Sequence, residues 1–318
     1  MQDARLEALK QAIVERGWRW RPGRAIAYGS QLVIDDGVAT ATLDFYPKRG
    51  RTVVGGPASP LRAALSELAA RLEARPAAPA PAVAPAPSSA ELGMDESGKG
   101  DWFGPLVVAA VYVTPETAPE LQHAGVRDSK HLAAGALAAT AQAIRQLIPA
   151  SARAVTVLEP AAYNERYARL GNINLLLAEL YAETAAPVVA QTGATRIVCD
   201  QFAQQRERLE AAFSGAGLPR PRQMHHAEAH SLAVAAASVL ATAQFQDALR
   251  QLGAAAGFDG PLPSGAAAIG QLEQAARQII AREGAAGLGR YAKLHFKPIQ
   301  ALLAGLPPHG AEEGSAVE

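Results

Sequence analysis

The sequence predicts an α/β protein in two parts, a small α+β domain followed by a larger domain whose central sheet is covered by helices. Two observations lead to this fold class. Strand-like and helix-like segments alternate through residues 91–305, and a run of Ala, Pro and Ser at 76–90 separates them from residues 1–75. Repeated proline excludes both helix and sheet ladders, so residues 76–90 are predicted to form an extended linker. With 318 residues, 49% of them hydrophobic, the chain is long enough to bury a core in each part.

Residues 1–75 are predicted to form an α-β-β-β-α module. The segment "LEALKQAIVERG" predicts a first helix. Three strands are predicted by "AIAYGSQLVID", "VATATLDFYP" and "GRTVVGG", with the turn "DDG" between the first two. The segment "SPLRAALSELAARLEARP" predicts a second amphipathic helix, with Ser59 as its N-terminal cap and Pro60 in its first turn.

Aromatic and basic residues interleave in this first module. They are Trp18, Arg19, Trp20, Arg21, Arg24, Lys48, Arg49 and Arg51. Residues 1–75 contain 12 Lys and Arg residues against 8 acidic residues. A surface of this kind is typical of proteins that bind backbone phosphates. The alternative, in which the tryptophans belong to the core and the arginines are simply solvated, stays open.

The larger domain is predicted to alternate between short apolar strands and longer helices. Strands are predicted near residues 91–97, 105–113, 152–158, 195–200 and 222–227. Helices are predicted over residues 130–148, 160–190, 203–214, 230–252 and 269–283. Residues 306–318 have the composition of a disordered tail.

Composition limits the classes of protein to which the chain can belong. The one cysteine, Cys199, excludes an internal disulfide and fits a reducing compartment. The start "MQDARLEALKQ" lacks the apolar segment of a secretory signal. The longest run of small apolar residues, 232–243, is too short to span a bilayer. We therefore expect a cytoplasmic protein that does not associate with membranes.

Four acidic residues lie where carboxylates are costly beside a hydrophobic core. Asp95 and Glu96 lie in the predicted strand before "SGKG", Asp200 ends the apolar strand "TRIVCD", and Glu228 lies at a strand–helix junction. In α/β sheets, strand ends are the usual place for ligand sites. Clustered carboxylates favour Mg²⁺-like cations, and two such ions about 4 Å apart promote phosphodiester hydrolysis. The pattern therefore indicates a metal-dependent phosphoryl-transfer site.

The alternative is that each acid caps a helix or ends a strand in solvent. Neighbouring strand residues point to opposite faces, so Asp95 and Glu96 serve one site only if the strand end splays or twists. The glycines of "SGKG" favour the functional interpretation, because they expose backbone N–H groups and let a phosphate approach closely.

The segment "MDESGKGDWFGPLVVAAVYV" resembles the opening motif of the type 2 ribonucleases H, and its "GDWFGP" continuation resembles ribonuclease HIII more than ribonuclease HII. Further segments resemble that family in the same order. They are "GVRDSKHL" (125–132), "YNERYARLGNINLLLAE" (163–179), "VCDQFA" (198–203), "HAEAHSLAVAAASVLA" (226–241), "LPSGA" (262–266) and "YAKLHF" (291–296). The resemblance spans residues 91–300. Residues 1–75 more weakly resemble the family's N-terminal domain, which is similar to half of the TATA-binding protein fold.

The resemblance implies an RNase H-like mixed sheet flanked by helices, and an endoribonuclease that cleaves the RNA strand of RNA–DNA hybrids. It implies that Asp95, Glu96, Asp200 and Glu228 are the catalytic residues that bind Mg²⁺ or Mn²⁺, with two ions in the active complex. Cleavage would leave 5′-phosphate and 3′-hydroxyl ends. The implied role of residues 1–75 is to bind the hybrid.

Substrate contacts are expected from residues outside the acidic set. Gly98, Lys99 and Gly100 are expected to grip the backbone, because exposed backbone groups at glycines can reach the ribose 2′-hydroxyl. The other expected contacts are Ser129, Lys130, Asn172 and Lys293. Four of these residues have a structural alternative: Ser129 as a helix cap, Asn172 as a turn residue, Lys99 as a solvated turn lysine and Lys293 as a surface lysine.

Some positions differ from the pattern of the family. Thr242 occupies a position where relatives often carry a basic residue, and His225 and His226 replace a segment that is often Thr-Lys. These histidines and His230 either tune events near Glu228 or are ordinary polar residues at a strand end.

Two other functions are compatible with the same motifs. One is incision at single ribonucleotides in DNA, as in ribonuclease HII, against which the loop "GKG" argues because the HII branch carries arginine between the glycines. The other is a non-catalytic protein that binds hybrids, against which four carboxylates that repel without metal argue. The sequence indicates no obligate protein partner, and a monomer is the default expectation.

Overall fold

A computed structural model of the chain describes residues 4–24, 26, 29–46, 51–57, 59–73, 84–126, 134–201, 205–265 and 269–305. The chain divides into two units, Met1–Ala80 and Pro81–Glu318. The predicted Pro-rich linker and tail fall mostly or wholly outside the described residues, as do Asp128, Ser129 and Lys130.

The first unit contains two helices and a four-stranded antiparallel sheet. The helices are α1 (Ala4–Glu15) and α2 (Pro60–Glu73). The strands are β1 (Arg19–Pro22), β2 (Ser30–Asp35), β3 (Thr40–Tyr46) and β4 (Arg51–Gly55), in the spatial order β1-β2-β3-β4. The prediction of three strands is therefore wrong, since β1 precedes them. This strand, "RWRP", has only four residues, three of them exposed, so it gives little apolar signal.

The helices of this unit pack on one face of its sheet. The shared core consists of Leu9, Ile13, Leu32, Ile34, Ala41, Leu43, Phe45, Leu61, Leu65 and Leu68. The predicted cap of α2 is confirmed, because the Ser59 hydroxyl accepts a hydrogen bond from the Arg62 N–H at 3.1 Å. The predicted "DDG" turn is also confirmed, with the Asp36 carboxylate accepting from two backbone N–H groups beyond Gly37.

The second unit is built on a mixed five-stranded sheet. Its strands are β5 (Glu91–Ser97), β6 (Leu106–Val113), β7 (Arg153–Leu158), β8 (Ile197–Asp200) and β9 (Arg222–Met224). The spatial order is β7-β6-β5-β8-β9, with β5, β6 and β7 antiparallel and β5, β8 and β9 parallel. All five predicted strands are confirmed, although β9 is shorter than predicted.

Eight helices are described in the second unit. They are α3 (Ala118–His123), α4 (Ala134–Leu147), α5 (Pro160–Leu170), α6 (Ile173–Thr192), α7 (Glu207–Gly215), α8 (Leu232–Ala255), α9 (Ile269–Gly287) and α10 (Lys297–Ala304). The prediction of one helix over 160–190 is wrong. Gly171, with φ +61°, ends α5 in the left-handed region, and Asn172 caps α6 by accepting from the Asn174 N–H. Helices α3 and α10 are short and were not predicted.

The two longest helices of this unit cover opposite faces of the sheet. Helix α8 packs on one face together with α4 and α9, and α6 packs on the other with α5 and α7. Both α6 and α8 are long and apolar enough to cross a bilayer by length and composition. Their burial against the sheet accounts for that composition, since most of α8 and half of α6 is buried within the unit.

Gly93 sets how closely α8 approaches the sheet. A Cβ atom on Gly93 would overlap the backbone of Ala233 and Val234 in the first turn of α8. A change of side-chain rotamer cannot relieve this overlap, because the obstructing atoms belong to the backbone. The small residues of α8 and the missing side chain of Gly93 therefore allow one close contact, which fixes the helix over β5.

We expect the substitution Gly93→Ala to destabilise the protein by about 3 kcal/mol or more, because helix and strand must move apart. Gly135→Ala is the matched control: Gly135 is exposed in α4 and its Cβ would meet nothing within 4 Å. It is expected to be neutral or to stabilise by up to about 1 kcal/mol. Urea unfolding measures both, and equal midpoints for the two variants would contradict this account.

Candidate active site

Two carboxylates lie side by side where two parallel strands end. In the register of β5 and β8, Met94 pairs with Cys199, so the next residues along, Asp95 and Asp200, are neighbours. Their side chains point to the α8 face, as Gly93 and Val198 do two residues earlier. The sequence predicts that each of these acids lies at or near a strand end, and the pairing of β5 with β8 makes them neighbours.

Asp95 lies against α8, in surroundings that disfavour the ionised form of its carboxyl group. Its carboxylate accepts hydrogen bonds from the buried Ser238 of α8 and, at 2.9 Å, from the Glu96 N–H. Burial raises the pKa of Asp95 well above its usual range, and the negative charges of Glu96 and Asp200 raise it further. Three carboxylates therefore repel one another at this strand end, which favours a cation among them.

Glu96 points to the opposite face of the sheet. Its Oε2 atom accepts a short hydrogen bond from the hydroxyl of Tyr181, a wholly buried residue of α6. Burial raises the pKa of Tyr181 well above 10, and the charges of Glu96 and Asp95 add to the shift, so the hydroxyl remains a donor. The two neighbouring acids thus keep their alternating directions, and each has a donor from the helix on its own face.

Glu228 approaches the site from a turn between β9 and α8. This turn is a 3₁₀ helix over Ala227–Ala229, and the Ala227 N–H donates to Asp200 Oδ1 at 3.2 Å. That bond ties the turn to the end of β8. The Glu228 side chain is buried, and its Oε1 atom lies 4.0 Å from Nδ1 of the exposed His226. Glu228 therefore adjoins the Asp200 side of the site.

The donor set fits a hard divalent cation. All four side chains offer carboxylate oxygens, which such ions prefer. Positive charge would also relieve the repulsion of Asp95 by Glu96 and Asp200. Within the described residues, no three His, Cys, Asp or Glu side chains converge closely enough to hold an ion as they stand.

The loop after β5 lies beside these acids and begins with a buried glycine, Gly98. Gly98 has φ +87°, and a Cβ there would overlap the carbonyl oxygen of Pro105 and the ring of Phe245, so the position requires glycine. Gly100 is exposed, with open space around it. Lys99 is half-buried, and burial lowers its pKa although the charges of Glu96 and Asp200 oppose that shift. The loop thus presents backbone groups and one cation next to the carboxylates.

Asn172 caps α6, which differs from the turn alternative, and its contact with the substrate stays a prediction. Its side-chain oxygen accepts from the Asn174 N–H at 2.9 Å and from Arg208 at 3.3 Å, which caps α6. Ser129 and Lys130 lie outside the described residues, so both remain predictions. His225, His226 and His230 are exposed around the β9–α8 turn.

Lys293 differs from both sequence interpretations, since it is neither a phosphate contact nor a surface lysine. Its side chain is wholly buried, and its Nζ atom donates to backbone carbonyls of Asp101 at 3.0 Å, Phe103 at 3.4 Å and Gly104 at 2.6 Å. A phosphate has no access to this ammonium group. The lysine is buried by tertiary packing, because the loop after β5 folds over it.

Sequence reasoning did not identify Tyr181 or Ser238 as partners of the acids. Tyr181 lies in the middle of an apolar helix, where a tyrosine is usually a core residue. Ser238 is a polar residue within "AVAAASVLA", which is the one signal that could have indicated a buried hydrogen bond on α8.

Comparisons with known proteins identify relatives over most of the chain. Residues 92–299 match the family model described as ribonuclease HII. The chain is 37% identical over 212 residues to ribonuclease HIII of Protochlamydia amoebophila (strain UWE25), covering 67% of this chain and 68% of that protein. It is 35% identical over 215 residues to ribonuclease HIII of Oceanobacillus iheyensis, covering 66% and 68%.

Solved structures are similar as well, over 95% of this chain in one case and 68% in the other. The crystal structure of Bst-RNase HIII in complex with Mn²⁺ superposes with a TM-score of 0.61 at 30% identity, covering 95% of this chain and 96% of that one. The ribonuclease H2 of Pyrococcus horikoshii has a TM-score of 0.58 at 19% identity, which shows a shared fold.

We expect Tyr181→Phe to weaken Mn²⁺ binding by about tenfold to a hundredfold, because a hydrogen-bonding partner that orients a carboxylate ligand is lost. Isothermal titration with Mn²⁺ measures the affinity. The control is Tyr112→Phe, which removes a hydroxyl from a partly buried tyrosine on β6. An unchanged Mn²⁺ affinity in Tyr181→Phe, with the fold intact, would show that Glu96 needs no such partner.

Proposed function

The chain belongs to the ribonuclease HII family, and from that premise we propose how it acts as an endoribonuclease on RNA–DNA hybrids. The observation that carries the proposal is the pair of neighbouring carboxylates, Asp95 and Asp200, at the ends of two parallel strands, with Glu96 and Glu228 beside them. Oxygen ligands in this arrangement suit phosphoryl transfer assisted by divalent metal.

Asp95, Glu96, Asp200 and Glu228 are the residues that would hold the metal. We propose two ions, Mg²⁺ or Mn²⁺, a choice supported by the carboxylate donors and by the Mn²⁺ in the similar Bst-RNase HIII structure. Bound divalent ions supply Lewis-acid activation of water and neutralise charge on the phosphate. The protein contributes the positions of the carboxylates, through Ser238 for Asp95, Tyr181 for Glu96 and the Ala227 N–H for Asp200.

The loop of Gly98, Lys99 and Gly100 would hold the substrate strand beside these acids. Gly100 has no neighbour within 4 Å of a Cβ position, so a ribose–phosphate backbone can approach its peptide groups closely. Contact with a 2′-hydroxyl is what distinguishes RNA from DNA. Lys99 interacts electrostatically with Glu96 and Asp200, so its ammonium group is near enough to attract the scissile phosphate.

The remaining features of the reaction are proposals from the same premise. Cleavage would leave 5′-phosphate and 3′-hydroxyl ends. We propose a monomer that needs no protein partner. A cytoplasmic location is supported by the lone, buried cysteine, Cys199, which suits a reducing compartment.

The first experiment incubates the protein with Mg²⁺ or Mn²⁺ and three labelled duplexes: an RNA–DNA hybrid, a DNA duplex with one ribonucleotide, and double-stranded RNA. We expect cleavage of the hybrid, and a loss of at least about 100-fold in Asp95→Asn, because the bound metal would lose a central carboxylate. Asp259→Asn, at an exposed position outside the site, is the matched control and should retain activity.

The outcomes separate the alternatives. Efficient incision at the single ribonucleotide would indicate specificity like that of ribonuclease HII. Binding of the hybrid without cleavage of any duplex would indicate a non-catalytic protein and contradict the proposal.

The first unit would bind the nucleic acid backbone through its edge strand. Trp18 and Trp20 are partly buried and pack against the core of that unit. Arg19, Arg21 and Arg24 are exposed along and beyond β1. Lys48 and Arg49 lie outside the described residues.

We expect the triple substitution Arg19→Ala, Arg21→Ala and Arg24→Ala to weaken hybrid binding. The slope of log binding constant against log salt concentration should become shallower by about 0.9 for each phosphate contact that is lost. The control is Arg62→Ala, which removes one exposed charge from α2, a helix that packs on β3 and β4. Affinity is measured across a salt series. A triple variant with an unchanged slope would mean that these arginines are only solvated.

A further inference from the structure

Lys293 is the one lysine among the described residues that is wholly buried. Three backbone carbonyls surround its Nζ atom, those of Asp101, Phe103 and Gly104, at 3.0, 3.4 and 2.6 Å. An ammonium group has three donor hydrogens, so this set matches its full capacity. The hydrogen-bonding capacity of the ammonium group is therefore filled within the protein. All three acceptors belong to one turn of the chain, residues 101–104.

The chain segment around Lys293, residues 289–294, is itself fixed by hydrogen bonds on both sides. The Lys293 N–H donates to Trp102 O at 2.8 Å, and the Gly104 N–H donates to Tyr291 O at 2.9 Å. On the other side of the segment, the Asn164 side chain binds three backbone groups. These are Gly289 O at 3.1 Å, Ala292 O at 2.9 Å and Leu294 N at 2.9 Å. The segment 289–294 is thus clamped between α5 and the turn 101–104.

Packing alone does not explain a lysine at this position. Burial lowers its pKa to about 7, which the negative charge of Asp101 only partly offsets. The rings of Tyr163 and Phe245 lie 5.7 and 6.0 Å from Nζ, so the surroundings otherwise suit an apolar side chain. A methionine would occupy similar space without the desolvation penalty of a charge. The distinct contribution of the lysine is its three hydrogen bonds to the turn 101–104.

That turn is continuous with the loop 98–100. The Asp101 N–H donates to Gly98 O at 3.3 Å. The Phe245 ring packs against both Gly98 and Gly104, the two ends of segment 98–104. A Cβ atom on these glycines would lie 2.7 and 3.0 Å from the ring, respectively. Displacement of the turn therefore displaces the peptide groups of Gly98 and Gly100.

We propose that Lys293 is a positioning residue for substrate recognition: its hydrogen bonds to the turn 101–104 hold the loop 98–100 where its peptide groups distinguish ribose from deoxyribose. The inference rests on the proposed function, in which this loop contacts the RNA strand. Lys293 itself touches neither substrate nor metal. Its effect should appear in the discrimination between a hybrid and a DNA duplex, and not in metal binding.

The test measures dissociation constants for an RNA–DNA hybrid and for a DNA duplex of the same sequence, in the cleavage-deficient Asp95→Asn background. Lys293→Met keeps the aliphatic stem and removes the donors. We expect the ratio of the two dissociation constants to shrink by about tenfold, because a small displacement of recognition groups is costly, while DNA affinity stays within about twofold. Mn²⁺ affinity, measured with Asp95 intact, should not change.

The matched control is Lys297→Met, which removes the same charge from an exposed position in α10. It should leave the ratio unchanged. If the parent protein binds the two duplexes equally, the proposed function fails and this inference fails with it. If the parent discriminates and Lys293→Met discriminates equally well, only the role of Lys293 is overturned. A loss of Mn²⁺ affinity in Lys293→Met would also overturn it, since the effect would then be general disruption.

A second variant decides the question if Lys293→Met does not fold. Asn164→Ala leaves the lysine in place but releases the three backbone groups that Asn164 binds. We expect a smaller decrease of the ratio, about threefold, because the lysine then holds the turn from a less rigid segment. An unchanged ratio in a folded Asn164→Ala protein would overturn the inference.

Discussion

The parallel pairing of β5 with β8 is the constraint on which the second unit depends. It brings Asp95 and Asp200 to the same strand end, although 105 residues separate them in sequence, and β6 and β7 extend the sheet on the other side of β5. A parallel pair requires a long crossover, which here includes α4, α5 and α6. The pairing places both carboxylates on the α8 face. Gly93 then determines how near α8 and its Ser238 can approach them.

Sequence alone predicts much of this framework, because each central strand is an apolar run and Asp95, Glu96 and Asp200 occur where such runs end. Two features of the fold are not accessible in that way. Strand β1 is short and mostly exposed, so period-2 burial is not visible in "RWRP". The break at Gly171 interrupts a helical pattern for only two residues, and the apolar spacing resumes beyond it. Strand β1 is defined by its pairing with β2, and the break between α5 and α6 is defined by the left-handed conformation of Gly171.

The chemistry of the site is predictable in its acids and not in their partners. Carboxylates at strand ends are conspicuous because hydrophobic neighbours make them costly. Tyr181 contacts Glu96 across 85 positions, and Lys293 contacts the turn 101–104 across about 190. Nothing local distinguishes Tyr181 from a core tyrosine or Lys293 from a surface lysine. Only the packing of α6 on the sheet, and of segment 289–294 on the loop, assigns their roles.

The same unit handles buried charge of opposite sign in two ways. The ammonium group of Lys293 has three carbonyl acceptors, so its hydrogen-bonding capacity is filled within the protein and the turn around it is fixed. The carboxylates receive hydrogen bonds from Ser238, Tyr181 and the Ala227 N–H, but each donor serves one carboxylate and none removes the repulsion among Asp95, Glu96 and Asp200. The repulsion that remains after hydrogen bonding raises the pKa of Asp95 and favours a bound cation. The site of Lys293 therefore gives rigidity, and the acidic site suits a divalent metal.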